Sequence, residues 1–168
     1  MDIAERVRAV LAGMAAPWEI MACDPALADT AAFCAHYGVA PEDSANTIVV
    51  VGKGDPLRYA ACVVLATTRL DVNRVVRTRL GAKKASFADA AATATLTGMT
   101  MGGVTPIGLP AGLPLWIDAA VMARTRIVVG GGSRDAKVLA PPALLLELPG
   151  AEVVDGLAVP MPPGVPAE

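Results

Sequence analysis

The chain has 168 residues, of which 54% are apolar, and its formal net charge at pH 7 is −2. This length is most simply a single domain with a sizeable core, and the mild acidity argues against a protein that holds nucleic acid through bulk positive charge. No apolar run approaches the roughly 20 residues that cross a bilayer. The charged residues Asp2, Glu5, Arg6 and Arg8 do not fit a signal peptide, so we expect a cytoplasmic protein with no membrane partner.

Apolar spacing and capping residues predict alternating helices and strands along the chain. Helices are predicted over residues 3–14, from Asp29 or Thr30 to Gly38, from Asp71 to Leu80, from Asp89 to Gly98 and over residues 141–148. Strands are predicted over residues 18–22, 47–51, 59–66, 86–88, 115–117, 126–129 and 152–154, with a hairpin between the second and the third. This irregular order favours an α+β fold with a mixed sheet over a doubly wound parallel fold. We expect residues 1–159 to form one domain and the proline-rich residues 160–168 to form a frayed tail.

The stretch from Gly98 to Pro114 is rich in glycine and proline and almost without charge. Loops of this length are uncommon in compact domains and are often functional. Gly102 and Gly103 can adopt positive φ and expose successive backbone amides, while Pro106 stiffens the far end of the loop. A stiff loop with bare amides suits an ester carbonyl, a carboxylate or a phosphate. The alternative is an ordinary connection between a helix and a strand.

The residue pattern gives little support for a metal site or for a catalytic nucleophile. Cys23, Cys34 and Cys62 follow no metal-ligand or CxxC spacing, and His36 is the single histidine. His36 lies in a predicted helix, where a lone histidine is more often structural than catalytic. We therefore predict neither a metal nor another cofactor.

Basic residues cluster in the predicted helix after Leu70 and in the segment that follows it. The members of the cluster are Arg69, Arg74, Arg77, Arg79, Lys83 and Lys84, with Asp71 as the accompanying acid. The cluster is either an ordinary solvated surface or a local phosphate-facing patch.

Five fragments resemble the YbaK/EbsC family of aminoacyl-tRNA editing domains, which is related to the insertion domain of bacterial prolyl-tRNA synthetases. They span residues 24–33, 45–51, 70–89, 97–119 and 127–134 and include the motifs LGAKK, GGVTPIG and IDA. The resemblance implies a mixed, partly barrel-like β-sheet flanked by helices. It also implies hydrolysis of the ester that joins a wrong amino acid to tRNA, best known for cysteine or alanine on proline tRNA. Mischarged tRNA would be the partner, with no role for DNA, and a synthetase could supply much of the binding.

The resemblance assigns the loop from Gly102 to Pro106 to the aminoacyl ester. It implies that water attacks the ester carbonyl, that the amides of Gly102 and Gly103 act in catalysis, and that Val104, Thr105 and Pro106 bind substrate. The side chains of Met99, Met101, Val104, Ile107 and Trp116 are expected to set the pocket volume.

The sequence departs from the family pattern at the strand that begins the hairpin. A lysine usually precedes the threonine there and is thought to bind the substrate end of tRNA, whereas this chain has Asn46 before Thr47. Lys137 stands where related deacylases often carry an acid. One hypothesis is that Lys137 supplies the missing ammonium in the same pocket, with Asn46 or Lys137 holding the terminal ribose and phosphate. The alternative is that Lys137 is merely exposed and the pocket has drifted.

The remaining site residues also follow from the resemblance. Gly130, Gly131 and Ser133 in the glycine turn are expected to bind substrate, and Gly130 replaces a serine that is common at that position. Asp118 either shapes the pocket or caps the following turn. The tRNA contacts are expected from part of the basic cluster, namely Arg74, Arg77, Lys83 and Lys84.

Three functions remain open on the sequence. The leading one is a free-standing trans-editing hydrolase. The second is a module of the same fold that binds tRNA or a synthetase without turnover, which the residue at position 46 favours. The third is a hydrolase of small-molecule esters or amides that uses the same pocket.

Overall fold

The structure of the protein is a computed structural model that describes residues 1–162. Its α-helices are α1 (Ile3–Ala12), α2 (Thr30–Tyr37), α3 (Arg77–Leu80), α4 (Ala90–Thr97) and α5 (Ala119–Met122). Its strands are β1 (Glu19–Ala22), β2 (Ala45–Gly52), β3 (Arg58–Leu65), β4 (Thr68–Leu70), β5 (Ala85–Phe87), β6 (Leu115–Asp118), β7 (Ile127–Gly130), β8 (Ala136–Ala140), β9 (Ala151–Val154) and β10 (Ala158–Pro160). Among the described residues, no helix is long and apolar enough to cross a membrane.

Every strand that the sequence predicts is present, within two residues at either end. The helix predicted from Asp71 is a π-helical turn over Val72–Val76 followed by α3, and the helix predicted over 141–148 is a 3-10 helix over Pro142–Glu147. The pattern does not predict β4, β8, β10 and α5, because segments this short carry no clear periodicity.

The strand predicted over 152–154 is not the last one, since β10 follows it and pairs with β4. Pro160, the first residue of the predicted tail, belongs to β10 and lies opposite Thr68. The backbone amide of Met161 donates to the carbonyl of Thr67 at 3.2 Å. The final six residues of that predicted tail, 163–168, lie outside the described part of the chain.

A five-stranded mixed sheet in the order β5-β2-β3-β6-β9 forms the centre of the fold. The hairpin strands β2 and β3 pair antiparallel along their whole length, from Ala45 opposite Leu65 to Gly52 opposite Arg58. Strands β6 and β9 then add in parallel. Successive residues of β3 enter two different hydrophobic cores, with Val63 in one and Cys62 in the other. Both faces of the sheet are therefore covered, which explains the unbroken apolar run in β3.

A second sheet in the order β1-β8-β7 packs beside the first, and an isolated bridge between Ser44 and Val128 connects the two. Strands β10 and β4 form a third, two-stranded sheet. None of these sheets closes into a barrel within residues 1–162. The architecture is the mixed α+β class that the sequence predicts, built from separate packed sheets.

The long loop between α4 and β6 lies backbone to backbone against the glycine turn that follows β7. The amide of Gly132 donates to the carbonyl of Gly103 at 2.6 Å. A Cβ atom on Gly103 would lie 2.3 Å from the carbonyl oxygen of Ser133, and one on Gly130 would lie 2.2 Å from the carbonyl oxygen of Val104. These positions must be glycine because main chain, which cannot rotate away, occupies the space of a side chain.

We predict that Gly103→Ala separates the loop from the turn and lowers the free energy of unfolding by about 2 kcal/mol or more. The matched control is Gly13→Ala, whose Cβ would lie at an ordinary 3.7 Å from the carbonyl oxygen of Val10. Urea unfolding of both variants measures the difference. Equal stability of the two variants would show that the close approach does not constrain the loop.

Candidate functional site

A cavity of about 360 Å³ lies between the two larger sheets and is closed on one side by the long loop. Its walls come from β2, β7, the start of α2, the segment around α4 and the loop. Much of the surface is apolar, with contributions from Phe33, Ile48, Val49, Val128 and Val129. Polar groups are few, which is typical of a pocket that binds a small group in a fixed orientation.

Lys137 lies on β8 and brings a buried ammonium group to this cavity. The residue is 8% exposed, and its Nζ donates to the carbonyl oxygens of Ala28 and Gly102, each at 2.8 Å. The same nitrogen lies 5.2 Å from the centre of the Phe33 ring, a distance at which a cation is attracted to the ring face. The alternative that Lys137 is merely exposed is therefore wrong.

Burial lowers the pKa of Lys137 from its ordinary 10.5, because the interior disfavours the charged form. The nearby Arg134 acts in the same direction, whereas Cys23 and Asp29 oppose it. An ammonium has three donors, and the two carbonyls account for two of them. One N–H is therefore left with which Lys137 can bind a ligand in the cavity.

Asn46 lines the same cavity from β2, in the other sheet. Its side-chain oxygen accepts a hydrogen bond from the hydroxyl of Thr30 at 2.9 Å. The structure thus brings Asn46 and Lys137 together in one cavity, as the relocated-ammonium hypothesis requires. The fold joins them because β7 is bridged to the start of β2 and pairs with β8.

Along the long loop, backbone amides that donate a hydrogen bond within the protein alternate with amides that do not. Gly102 has φ of +89°, as expected, whereas Gly103 does not have a positive φ. The backbone amides of Gly102 and Val104 donate to no other described residue. The amide of Gly103 donates to the carbonyl of Thr100 at 2.9 Å, and that of Thr105 approaches the sulfur of Met99 at 3.5 Å. Gly102 and Val104 both line the cavity, so these two amides are the candidate oxyanion donors.

The other residues expected at the site divide into two groups. Thr47 and Gly130 line the cavity. The rest lie outside its lining: Gly103, Thr105, Pro106, Asp118, Gly131 and Ser133. The loop and turn residues of this second group are sequence neighbours of lining residues and support them without facing the cavity.

Asp118 is a structural residue at the end of β6. It is 3% exposed, and its carboxylate accepts from the amide of Ala158, which joins the start of β10 to the central sheet. Burial raises the pKa of Asp118, and hydrogen bonds from surrounding backbone amides partly offset that rise. Asp118 does not line the cavity; it is the N-cap residue of α5, and the backbone amides of Ala119 and Ala120 in that helix act to lower its pKa.

Arg134 is a positioning residue that the sequence analysis leaves without a role. Its guanidinium donates to the carbonyl of Pro25 at 3.0 Å, to the carbonyl of Met101 at 3.0 Å and to the carboxylate of Asp29 at 3.1 Å. It thereby ties the long loop to the segment before α2. The only sequence signal for this role is a basic residue directly after a glycine turn, and the sequence does not show to which carbonyls that residue donates.

Other cavity residues are also absent from the sequence-based site, above all Thr30, Phe33 and Thr93. They lie on helices whose partners only the fold reveals. Conversely, Met99, Ile107 and Trp116 do not set the pocket volume, because all three are buried in the cores. Only Met101 and Val104 of the expected set contribute to the lining.

The four predicted tRNA contacts differ in how freely they can reach a ligand. Lys83 and Lys84 are exposed, whereas Arg74 pairs with Asp71 at 3.1 Å. Arg77 donates to the carbonyl of Asn73 at 2.9 Å and so stabilises its own turn. A second cavity of about 580 Å³ borders this region, and Phe87 forms part of the lining of both cavities.

Known proteins that are similar to this chain include aminoacyl-tRNA editing domains. The family described as an aminoacyl-tRNA editing domain matches residues 24–148. A crystal structure described as "a putative trans-editing enzyme for prolyl tRNA synthetase" has 25% identity and a TM-score of 0.77, covering 92% of this chain and 96% of that one. A crystal structure of a hypothetical protein has 26% identity and a TM-score of 0.75, covering 85% of this chain and 92% of that one. The family match spans most of the sequence, and the chain therefore belongs to the aminoacyl-tRNA editing domain family, with a YbaK-like fold.

Proposed function

We propose that this protein is a trans-editing hydrolase that cleaves the ester between a wrong amino acid and its tRNA. The observation that carries the proposal is the pair of available amides, Gly102 and Val104, in a cavity that also holds the Lys137 ammonium. Membership of the editing-domain family supports the same reaction class. Because the substrate is charged tRNA, the protein acts in the cytoplasm.

The chemistry needs no protein nucleophile and no cofactor. A water molecule attacks the ester carbonyl, and the amides of Gly102 and Val104 stabilise the negative charge that develops on the carbonyl oxygen. Removal of one such donor typically slows a reaction by roughly 10²–10³-fold. The bond to the ribose oxygen then breaks, and that oxygen takes the proton that the attacking water releases. The amino acid leaves with a free carboxyl group, and the tRNA leaves with its ribose hydroxyl restored.

Lys137 and Asn46 position the substrate end of tRNA. Lys137 fixes the carbonyl of Gly102, which sets the direction of the neighbouring amides, and its remaining N–H reaches the terminal ribose or phosphate. Asn46, held by Thr30, contacts the ribose from the opposite wall. In this way an ammonium on β8 replaces the lysine that the family usually carries at position 46.

A second candidate is a binding module that holds aminoacyl-tRNA or a synthetase without turnover. Asn46 is the observation that favours it, since the family lysine is absent there and the amide oxygen is already engaged by Thr30. Affinity for charged tRNA without any deacylation would identify this module.

The first test is deacylation of tRNAs mischarged with alanine, cysteine, serine and threonine. We predict turnover by the wild type and a loss of about 100-fold in kcat/KM for Lys137→Met, because the loop loses its tether and shifts. Asn46→Ala should lose about tenfold, the value of one hydrogen bond. Lys53→Met is the control, since Lys53 is an exposed turn residue. Equal activity of Lys137→Met and Lys53→Met would refute the role of the buried ammonium.

The charge of Lys137 also predicts a pH dependence. Because burial lowers its pKa below 10.5, the ammonium is lost at a lower pH than on an exposed lysine. Deacylation above the spontaneous rate should therefore decline on the alkaline side before pH 10.5, whereas Lys137→Arg should keep its residual activity there. The measurement is the ratio of the two rates as pH rises. A ratio independent of pH would mean that Lys137 acts without its charge.

Recognition of tRNA can be tested on the exposed lysines. We predict that Lys83→Glu combined with Lys84→Glu raises KM for charged tRNA and flattens its dependence on salt, because phosphate contacts are lost. The matched control combines Arg8→Glu with Arg126→Glu, two exposed residues outside the basic cluster. If both double variants behave alike, the cluster is an ordinary solvated surface.

A further inference from the structure

Phe87 on β5 is an exposed aromatic side chain at the point where the two cavities meet. It is 46% exposed, and it lines both the cavity that we assign to the aminoacyl group and the second cavity of about 580 Å³. Strand β5 lies at the edge of the central sheet, where Phe87 is opposite Val50 of β2. A single exposed apolar side chain is ordinary, but the position of this one between two cavities gives it a possible ligand.

The open side of the first cavity is marked by the exposed residues of its lining, which are Asp29, Phe87 and Met101. An amino acid on tRNA is esterified to the ribose of the last nucleotide. When its ester lies against the loop amides, the rest of that nucleotide therefore has to leave the cavity through this side. Bases stack on exposed aromatic side chains whatever their sequence. Of the three exposed residues, Phe87 is the one with an aromatic face.

The second cavity shares Phe87 with the first and offers polar side chains that the protein itself does not use. Arg69 and Asn73 line it, both are exposed, and neither side chain forms a hydrogen bond or an ion pair with another described residue. A guanidinium binds phosphate or stacks on a base, and a carboxamide both donates to and accepts from the edge of a base. Asp71, the acid in this lining, pairs with Arg74 at 3.1 Å, which reduces its repulsion of a phosphate.

Positive charge is concentrated next to the second cavity, although the whole chain has a net charge of −2. Lys83 and Lys84 directly precede Ala85, which lines this cavity, and both lysines are exposed. Their side chains form no hydrogen bond or ion pair within the described part of the chain. Together with Arg69 they supply three available positive charges in this region. An exposed aromatic ring beside local positive charge is the combination that binds single-stranded nucleic acid.

We propose that Phe87 and the second cavity bind the single-stranded 3′ end of the charged tRNA. The base of the terminal nucleotide stacks on Phe87, and the nucleotide before it occupies the second cavity against Arg69 and Asn73. This inference rests on the proposed editing function and names the part of the substrate that is recognised outside the aminoacyl group. Because all tRNAs share the 3′-terminal sequence CCA, this subsite recognises the end of a tRNA without distinguishing one tRNA from another.

The test compares substrates of increasing length that carry the amino acid removed fastest from tRNA by the wild type. They are the aminoacyl esters of adenosine and of the dinucleotide CpA, and the charged tRNA. We expect kcat/KM of the wild type to rise about tenfold from adenosine to CpA, because the second cavity is then filled. Phe87→Leu should lower kcat/KM about tenfold on all three substrates, whereas Phe87→Tyr, which keeps the aromatic ring, should stay within about twofold of the wild type.

Two further variants separate recognition from effects on folding. Arg69→Gln should reduce the rise from adenosine to CpA from about tenfold to less than about twofold, because the second cavity loses its guanidinium. This ratio is measured on one variant with two substrates, so any loss of folded protein cancels. Leu57→Ala is the matched control for Phe87→Leu, since Leu57 is 52% exposed and lies outside the lining of both cavities. It should leave the rates on all three substrates unchanged.

Outcomes on turnover separate this inference from the function on which it rests. Three results overturn the subsite and leave the editing function standing. The first is Phe87→Leu that is as active as Leu57→Ala on charged tRNA. The second is a wild type with equal kcat/KM on the adenosine and CpA esters, and the third is a rise between them that persists in Arg69→Gln.

Absence of turnover on every substrate overturns the hydrolase, and the subsite is then decided by binding. The probes are adenosine and CpA that carry alanine through a non-hydrolysable 3′-amide. Tighter binding of the CpA probe that is lost in Arg69→Gln supports the subsite. Equal binding of the two probes, or a preference for CpA that Arg69→Gln retains, overturns it.

Discussion

The arrangement of the site depends on one buried ammonium group. Lys137 extends from β8 and ends on the carbonyls of Ala28 and Gly102, so a single side chain joins the second sheet, the segment before α2 and the long loop. Taking an ammonium out of water costs several kcal/mol unless polar groups replace the water. Two carbonyl dipoles and the face of Phe33 do so in part, and the lowered pKa reflects the part that remains uncompensated.

The charge balance around this ammonium explains why it can serve an ester-cleaving site. The carboxylate of Asp29, which opposes the lowering of the Lys137 pKa, is engaged by Arg134, which also holds the loop through Met101. Positive charge therefore exceeds negative charge at this end of the cavity. Together with the available amides of Gly102 and Val104, the excess favours a carbonyl oxygen that becomes negative during the reaction, and the rigid backbone contact with the turn keeps those amides aimed before substrate arrives.

The sequence predicts the fold class and the central hairpin because both have strong local signals. The β-branched and apolar residues of β2 and β3 predict paired strands, and Gly102 is a residue type that readily adopts the positive φ observed there. The cavity itself is harder to predict, since it forms between sheets whose packing depends on contacts distant in the chain. Lys137 illustrates this limit: its strand is short, and its ammonium is buried against Ala28 and Gly102, which are distant in the chain and which no local pattern reveals. Thr93 is on a correctly predicted helix, but the face that it presents to the cavity is set by tertiary packing.

Selectivity in such a pocket must come from its few polar groups. A wall of Phe33, Ile48 and Val128 can exclude amino acids that are too large, but apolar contacts distinguish two amino acids of nearly equal size by only a small factor. Hydrogen-bonding groups can do more, because a buried hydroxyl left unpaired penalises the wrong ligand as well as rewarding the right one.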